Sequence, residues 1–322
     1  MTLFDMPELL ILLLALVIDQ ALGEPPNPVH PVVWIGNFIK LLMKAPVARV
    51  QDQNRRRAIQ FLYGVFVVLL TTGLFTTAAF FLLWWLKGAS TLAYILVGAM
   101  LFKAMFSLQG LRQAALKVRN LLLQQKLTEA RAAVRALVGR NTAQLDEGQI
   151  VSAAVESVGE NCCDSFIAPL LFFLFLGVPG AVAYRAVNTL DNSIGFRGKF
   201  EYLGKFAARL DDAVNFIPAR LNALLFVIAA WFCRKDVGGA WHIMLRDHRH
   251  PASPNGGWTM GAMAGALGVQ LEKIGYYKLG DDRRPLVPAV IDASIAIMMG
   301  TAVIWTLVLA AAQVGYYVLT QA

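Results

Sequence analysis

"VESVGENCCDSFIAPLLFFLFLG", residues 155–177, joins two kinds of sequence that seldom touch. Glu156, Glu160 and Asp164 recur every four residues, and an apolar run begins directly after them. Four-residue spacing is helical spacing, drifting about 40° around the axis per step. From Ser165 to Tyr184 no residue is charged. A helical reading therefore places three carboxylates in register at the mouth of a segment suited to lipid. Like charges at this spacing repel, and near lipid the cost rises, so a cation belongs beside them: Arg, Lys or a metal ion. The blander alternative is a solvated helix end with three surface acids.

The rest of the chain also asks for lipid. Its 322 residues are 57% hydrophobic and 16% charged, where a soluble domain carries about 25% charged residues. Apolar runs at 7–22, 59–86, 90–106, 165–184, 213–232 and 289–318 reach or approach the roughly 20 residues of a span. They are long runs, not the short alternating strands of a barrel. The fold class expected is all-α: a polytopic integral membrane helical bundle. "MTLFDMPE" has two acids and no Lys or Arg, so the first run reads as a retained segment and not a signal peptide. Cys162 and Cys163 are adjacent, and with Cys233 they form no metal-type spacing. The three thiols read as free.

Charge placement orients the bundle. Lys40, Lys44, Arg49, Arg55, Arg56 and Arg57 follow the first run, and Arg112, Lys117, Arg119, Lys126, Arg131, Arg135 and Arg140 follow the third. Both stretches read as cytoplasmic by the positive-inside rule. The net charge of +8 is then orientation and anionic-lipid contact, with no nucleic-acid partner. "LRQAALKVRNLLLQQ" and "EARAAVRALVGR" repeat apolar residues at helical spacing. They give a cytoplasmic amphipathic insertion at 107–158 within a single membrane-embedded domain, 1–322. Asp146 with Gln149 three residues on matches a capping box. "GVPG" at 177–180 breaks the fourth run, which predicts a kinked helix or a re-entrant hairpin. The loop after it is basic again, through Arg197, Lys199, Lys205 and Arg209, and Pro218 is the expected break in 213–232.

Other polar groups cluster at run ends. "VIDQALGEPPNPVHPVVWIG" supplies Asp19, Glu24, Asn27 and His30, the last held extended by Pro31. "AYRAVNTLDNSIG" supplies Arg185, Asn188, Asp191 and Asn192, and "AARLDDAVNFIPAR" supplies Arg209, Asp211, Asp212, Asn215 and Arg220. In "RDHRHPASPNGGWTMGAMAGALG", Asp247, His248 and His250 match no zinc spacing. The turn at Ser253–Gly257 has bare backbone N–H groups that could cup an anion. Gly257, Gly261 and Gly265 make a small-residue stripe for close helix packing. Nucleotide-loop, dinucleotide and zinc-protease motifs are absent from the sequence. Acids for Mg²⁺ and arginines for phosphate would suit phosphoryl chemistry, and they would suit an ion-coupled transporter too.

Taken together, "DQALGEPPNPVHPVVWIG", "ESVGENCCDSFIAP", "AVNTLDNSIG", "AARLDDAVNFIPAR" and "SPNGGW" resemble the adenosylcobinamide-phosphate synthase family of cobalamin biosynthesis, CobD/CbiB. Each piece is weak alone, but five in the family's order are specific. Three departures stand out: Gly256 where Ala or Ser is expected, "NTLDN" where "NTLDS" is usual, and Arg185 where Lys is common. The resemblance implies an ATP-dependent ligase. It joins adenosylcobyric acid to (R)-1-amino-2-propanol or its O-phosphate through an acyl phosphate, with ATP and Mg²⁺, in the bacterial inner membrane with site loops facing the cytoplasm. It also implies site residues. Glu156, Glu160 and Asp164 are the metal pool, and Asp191, Asp211, Asp212, His30 and His250 the catalytic pool. Asn161, Arg185, Asn188, Arg209, Asn215, Arg220, Ser253 and Asn255 would bind substrate or ATP. The partners implied are membrane lipid, the corrinoid and aminopropanol substrates and other corrinoid-pathway enzymes, with oligomeric state open. The competing classes are an ion-coupled transporter and a non-catalytic accessory or signalling member of the same family. Transport predicts charges deep in the spans and an inverted repeat, and neither is evident here.

Overall fold

A computed structural model describes residues 6–45, 53–195 and 200–321. Arg49, Arg197 and Lys199, which entered the charge reading, lie outside the described residues. Helix α1 spans Pro7–Leu22 and starts with proline, whose missing N–H costs nothing at that position. A single 3₁₀ turn, Asn27–Val29, leads into α2, Pro31–Leu42. Next come α3, Gln53–Ala89, and α4, Thr91–Lys103, the latter capped by Ser90 Oγ accepting the Ala93 N–H at 3.3 Å. Helices α5, Leu108–Leu123, and α6, Leu127–Val134, are the expected amphipathic pair. Leu108, Leu111, Ala115, Val118 and Leu122 form the buried stripe of α5 at steps of three and four.

Helix α7, Glu147–Cys162, opens with the expected capping box. Asp146 accepts the Gln149 N–H at 2.8 Å, and Gln149 accepts the Asp146 N–H at 3.0 Å. A π-helical turn, Cys163–Ile167, separates α7 from α8, Ala168–Ile194. Helix α8 is broken where "GVPG" predicts, because Gly177 stands at φ 65° and ψ −162°, a conformation that only glycine adopts readily. Helices α9, Lys205–Val214, and α10, Phe216–Phe232, follow. Here the expectation needs correcting. The break falls at Asn215, and Pro218 sits inside the first turn of α10, where a helix has unpaired N–H groups in any case. Helices α11, Val237–Asp247, and α12, Gly256–Leu267, precede a small hairpin. Its strands β1, Leu271–Lys273, and β2, Tyr277–Leu279, pair antiparallel with Glu272 opposite Lys278. Helix α13, Pro288–Gln321, ends the described chain.

Among the described residues, four helices are long and apolar enough to cross a membrane: Arg57–Ala89, Thr91–Leu123, Glu147–Ile194 and Pro288–Thr320. Taken as one bent span, α9 with α10 makes a fifth. The first run gives α1 only 16 residues. The fold is the multi-pass helical bundle expected. At about 1.5 Å per residue, the 37 residues of α3 reach about 55 Å, well beyond a hydrocarbon core of about 30 Å.

The chain divides into two compact units, Met1–Ser107 with Pro169–Val214 and Ala312–Ala322, and Leu108–Ala168 with Asn215–Ala311. The stretch read as an insertion at 107–158 thus groups with residues 215–311. In the first unit, α2, α3, α8 and α9 meet around Ile35, Ile39, Val67, Val68, Ala186, Leu190, Ile194, Leu203 and Ala207. The outer surface of α3 keeps Leu62, Phe66, Leu69, Phe81, Trp84 and Trp85 exposed, as a lipid-facing helix with aromatic residues near its end would. Lipid tails are as apolar as leucine, so this core is held by close packing more than by transfer from water. In the second unit the glycine stripe does what its spacing predicts. A Cβ on Gly261 would stand 3.3 Å from Met244 Cα, and one on Gly265 would stand 2.9 Å from Ala240 Cα. Helix α12 therefore lies backbone to backbone on α11.

Candidate functional site

The candidate residues fall into separate groups. In the first unit, Asp19 lies in the last turn of α1 and is fully buried. Lys103, at the end of α4 and 1% exposed, reaches Asp19 Oδ1 and Glu24 Oε1, both at 3.0 Å. Its ammonium also donates to the Phe106 carbonyl at 3.5 Å. Glu24 carries the chain on to His30, whose Nε2 lies 3.1 Å from Glu24 Oε2. His30 Nδ1 accepts the Val32 N–H at 3.2 Å and caps α2. An accepting Nδ1 leaves Nε2 as the protonated nitrogen that donates to Glu24. Burial alone would raise the Glu24 pKa, but hydrogen bonds from His30 and Ser107 and the Lys103 ammonium hold it at about 2.

A second group in this unit centres on the buried Asn188 of α8. Arg185 Nη1 donates to Asn188 Oδ1 at 3.3 Å, as does Asn192 Nδ2 at 3.3 Å. Asn188 Nδ2 in turn donates to Asp211 Oδ1 of α9 at 3.4 Å. Arg185, Asn188, Asn192 and Asp211 are thus brought together from two motifs. Asp191 on α8 and Asp212 on α9 are half-buried, and Arg209 is exposed.

In the second unit the three acids of the opening stretch meet three different surroundings. Glu156 is 5% exposed and Glu160 is exposed. Asp164 is half-buried within the π-helical turn, a feature common at functional sites. The cation expected beside these acids is Arg140, whose Nη2 lies 3.1 Å from Glu156 Oε1. Ser152 donates to the same oxygen at 2.9 Å, and the Tyr277 hydroxyl donates to Oε2 at 2.9 Å. Burial, then the charge and hydrogen bond of Glu156 and the charge of Glu160, push the Tyr277 phenol well above its ordinary pKa. It therefore remains a donor.

The turn before α12 forms the neighbouring group. Asn255 accepts from Arg220 Nη1 at 3.0 Å, and the Asn255 N–H donates to Ser253 Oγ at 3.3 Å. The Arg220 guanidinium lies 3.5 Å from the centre of the Phe216 ring and 5.0 Å from that of Trp258. His248 packs on Trp258 with ring centres 4.1 Å apart. Glu160 borders this turn so closely that a Cβ on Gly256 would stand 3.2 Å from its Oε1. An alanine or serine in place of Gly256 would crowd that carboxylate. Asn215, at the break before α10, is buried.

His250 and Asn161 serve local bonds. His250 Nδ1 donates to the Lys278 carbonyl at 2.9 Å and lies 4.0 Å from Asp247. Asp247, 1% exposed, binds Arg246 through both oxygens at 2.6 and 2.9 Å and accepts the Gly280 N–H at 2.7 Å. Burial opposes ionisation of Asp247, but Arg246, Gly280 and His250 bring its pKa below the usual range. Asn161 Nδ2 donates to Ser157 Oγ at 2.6 Å, and Ser157 donates to the Leu137 carbonyl at 3.0 Å. Sequence reasoning missed Lys103, Ser152 and Tyr277 as site members and read Arg140 only as a topology signal. A lone Lys in "MLFKAMF" and a Tyr in a short polar stretch give no local sign of a buried partner.

Among the described residues no three His, Cys, Asp or Glu side chains gather as a ready metal cage. Helix α12 turns its N-terminal N–H groups toward the start of the Gly-Gly turn, beside Arg220 and Glu160. Such a combination can hold an anionic group and a cation bound to it.

The profile of a family described as CobD/Cbib protein matches residues 12–299. The chain is 50% identical over 303 residues to "Cobalamin biosynthesis protein CobD" of Dehalococcoides mccartyi, covering 94% of this chain and 96% of that one. It is 38% identical to "Probable cobalamin biosynthesis protein CobD" of Methanothermobacter thermautotrophicus, over 92% and 96% of the two chains. It is 37% identical to "Cobalamin biosynthesis protein CobD" of Photorhabdus laumondii, over 88% and 91%. No solved structure matches.

Proposed function

The chain belongs to the CobD/Cbib protein family, and on that premise we propose that it is an ATP-dependent amide ligase of cobalamin biosynthesis. Its substrates are adenosylcobyric acid and (R)-1-amino-2-propanol or its O-phosphate, and its product is adenosylcobinamide or its phosphate. The observation that carries this reading is the pairing of Arg220 with Asn255 at the N-terminus of α12, directly beside Glu160. A carboxylate and an amine do not condense unaided. The carboxylate oxygen attacks the terminal phosphorus of ATP and ADP leaves. The amine then attacks the acyl phosphate carbon, phosphate leaves and the nitrogen loses a proton to a base.

In this reading Arg220 and the α12 N–H groups bind phosphate oxygens, as cations and helix N-termini do in phosphoryl transfer. Mg²⁺ arriving with ATP would neutralise phosphate charge. The donors fit that kind of ion, since it takes one or two carboxylates and completes its shell with phosphate and water. Glu160, which borders the Gly256 turn, and Asp164, in the π-helical turn after it, are the carboxylates proposed for it, and Glu156 is bound by Arg140, Ser152 and Tyr277. In the first unit, Asp191, Asp212 and Asp211, the last held by Asn188, stay in the proposed catalytic pool as acids able to accept a proton. The corrinoid and ATP are cytoplasmic, so the site loops face the cytoplasm from the inner membrane.

Purified protein in detergent, given adenosylcobyric acid, ATP and Mg²⁺, should form an amide with one of the two amines and release ADP and phosphate in equal amounts. Running both amines side by side identifies the acceptor. Intact, folded protein that forms no ATP-dependent amide with either amine would overturn the proposal.

A further inference from the structure

Glu156 is poorly placed to bind a metal ion, for a reason internal to its surroundings. Both of its oxygens are occupied by protein donors, and one of those donors is a cation. What these bonds do is join separate pieces of chain. Arg140 comes from the loop between α6 and α7, and Tyr277 from β2, 121 residues away. The Tyr277 hydroxyl also lies 3.5 Å from Met260 Sδ of α12. One turn before Glu156, Ser152 Oγ accepts the Glu272 N–H of β1 at 2.8 Å. Helix α7 therefore grips both strands of the hairpin, one through Ser152 and the other through Glu156.

One turn after Glu156 comes Glu160, the exposed acid beside Gly256. We infer that Arg140, Glu156 and Tyr277 are positioning residues that fix the hairpin and α12 against α7, so that Glu160 is presented to the α12 N-terminus. The acids of the opening stretch then divide their labour: Glu156 holds the frame and Glu160 faces the ligand. The catalytic consequence rests on the ligase reading, whereas the clamp itself is independent of it.

Hydrogen exchange and kinetics on the purified full chain test the two parts separately. Tyr277→Phe removes one hydroxyl and keeps the ring. It should speed amide exchange across residues 271–279 by about tenfold, the scale of one lost hydrogen bond to a charged group. It should lower kcat by a similar factor while the Mg²⁺ midpoint stays in place. Glu160→Gln should do the reverse, raising the Mg²⁺ midpoint with hairpin exchange unchanged. Arg140→Lys keeps the charge and should restore part of the protection that Arg140→Met removes. Unchanged hairpin exchange in Tyr277→Phe would overturn the clamp, whatever the protein's activity. A Mg²⁺ midpoint that moves as far in Glu156→Gln as in Glu160→Gln would make Glu156 a ligand and overturn the division of labour. If no amide forms at all, the exchange result still stands or falls by itself.

Discussion

Lys103 in one unit and Glu156 in the other are both buried charges, yet they are satisfied in opposite ways. Lys103 is one cation shared between Asp19 and Glu24. Counted over Lys103, Asp19 and Glu24, formal charges leave one negative unit in excess, and His30 supplies a further hydrogen bond to Glu24. Glu156 meets one cation, Arg140, and two neutral hydroxyls, so its group closes at zero. An anionic excess needs a route to water, and Glu24 provides it with 37% of its side chain exposed. A neutral group needs none. The first arrangement should respond to protons through Glu24.

The largest effect expected comes from breaking the Lys103 group. Lys103→Met leaves Asp19 fully buried with its cation gone, and removing one partner of a buried pair costs about 3–5 kcal/mol. Thermal unfolding in detergent should show a large drop in midpoint or failure to accumulate folded protein. A loss smaller than that of Arg140→Met would reverse the comparison, because Arg140 serves one acid and Lys103 serves two.

The next effect is sharper in pH than in size. Glu24 ionises at about 2 in the folded chain against 4.5 ordinarily. A lowered carboxylate pKa gives stability that is full above pH 4.5 and is lost as pH falls from there toward 2. Unfolding midpoints of the wild-type chain should fall across that window, and Glu24→Gln should flatten the fall. A wild-type slope that persists unchanged in Glu24→Gln would assign the acid response elsewhere.

The smallest effect belongs to an ion pair that is neither shared nor buried. Arg119 and Asp292 lie 2.8 Å apart with 26% and 46% of their side chains exposed. Pairs of this kind contribute about 0–1 kcal/mol. Arg119→Ala should move the unfolding midpoint by no more than a degree or two, and a large shift would mean that exposure is a poor guide to which charges matter here.

What could be read from the sequence was what nearby residues decide together. The apolar runs, the break at "GVPG", the capping box at Asp146, the apolar stripe of α5 and the glycine stripe of α12 all depend on residues within a few turns of each other. Pro218 misled because proline was weighed without knowing where the helix begins, and at the start of α10 it is welcome. The site was legible as a set of motifs, and Arg220 with Asn255, or Asn188 with Asp211, are meetings of motif residues. Its buried partners were not. Lys103 lies 79 residues from Glu24 and Tyr277 lies 121 from Glu156, and no periodicity links positions so far apart. The resemblance to a family supplied chemistry, but it could not say that the first of three acids in register serves the frame.

The break at Gly177 has an electrical side. A continuous α8 would carry one macrodipole, with about half a positive charge at its start and half a negative charge at its end. Interrupted at Gly177, it carries two shorter dipoles in series. A negative pole then ends the first half near Leu176, and a positive pole opens the second near Val178. Pro179 stands in the first turn of that second half, and it has no N–H to leave unpaired. The chain thus sets two opposed partial charges side by side within an uncharged run, a local field made from backbone alone, which replacing Gly177 with any side-chain-bearing residue would distort.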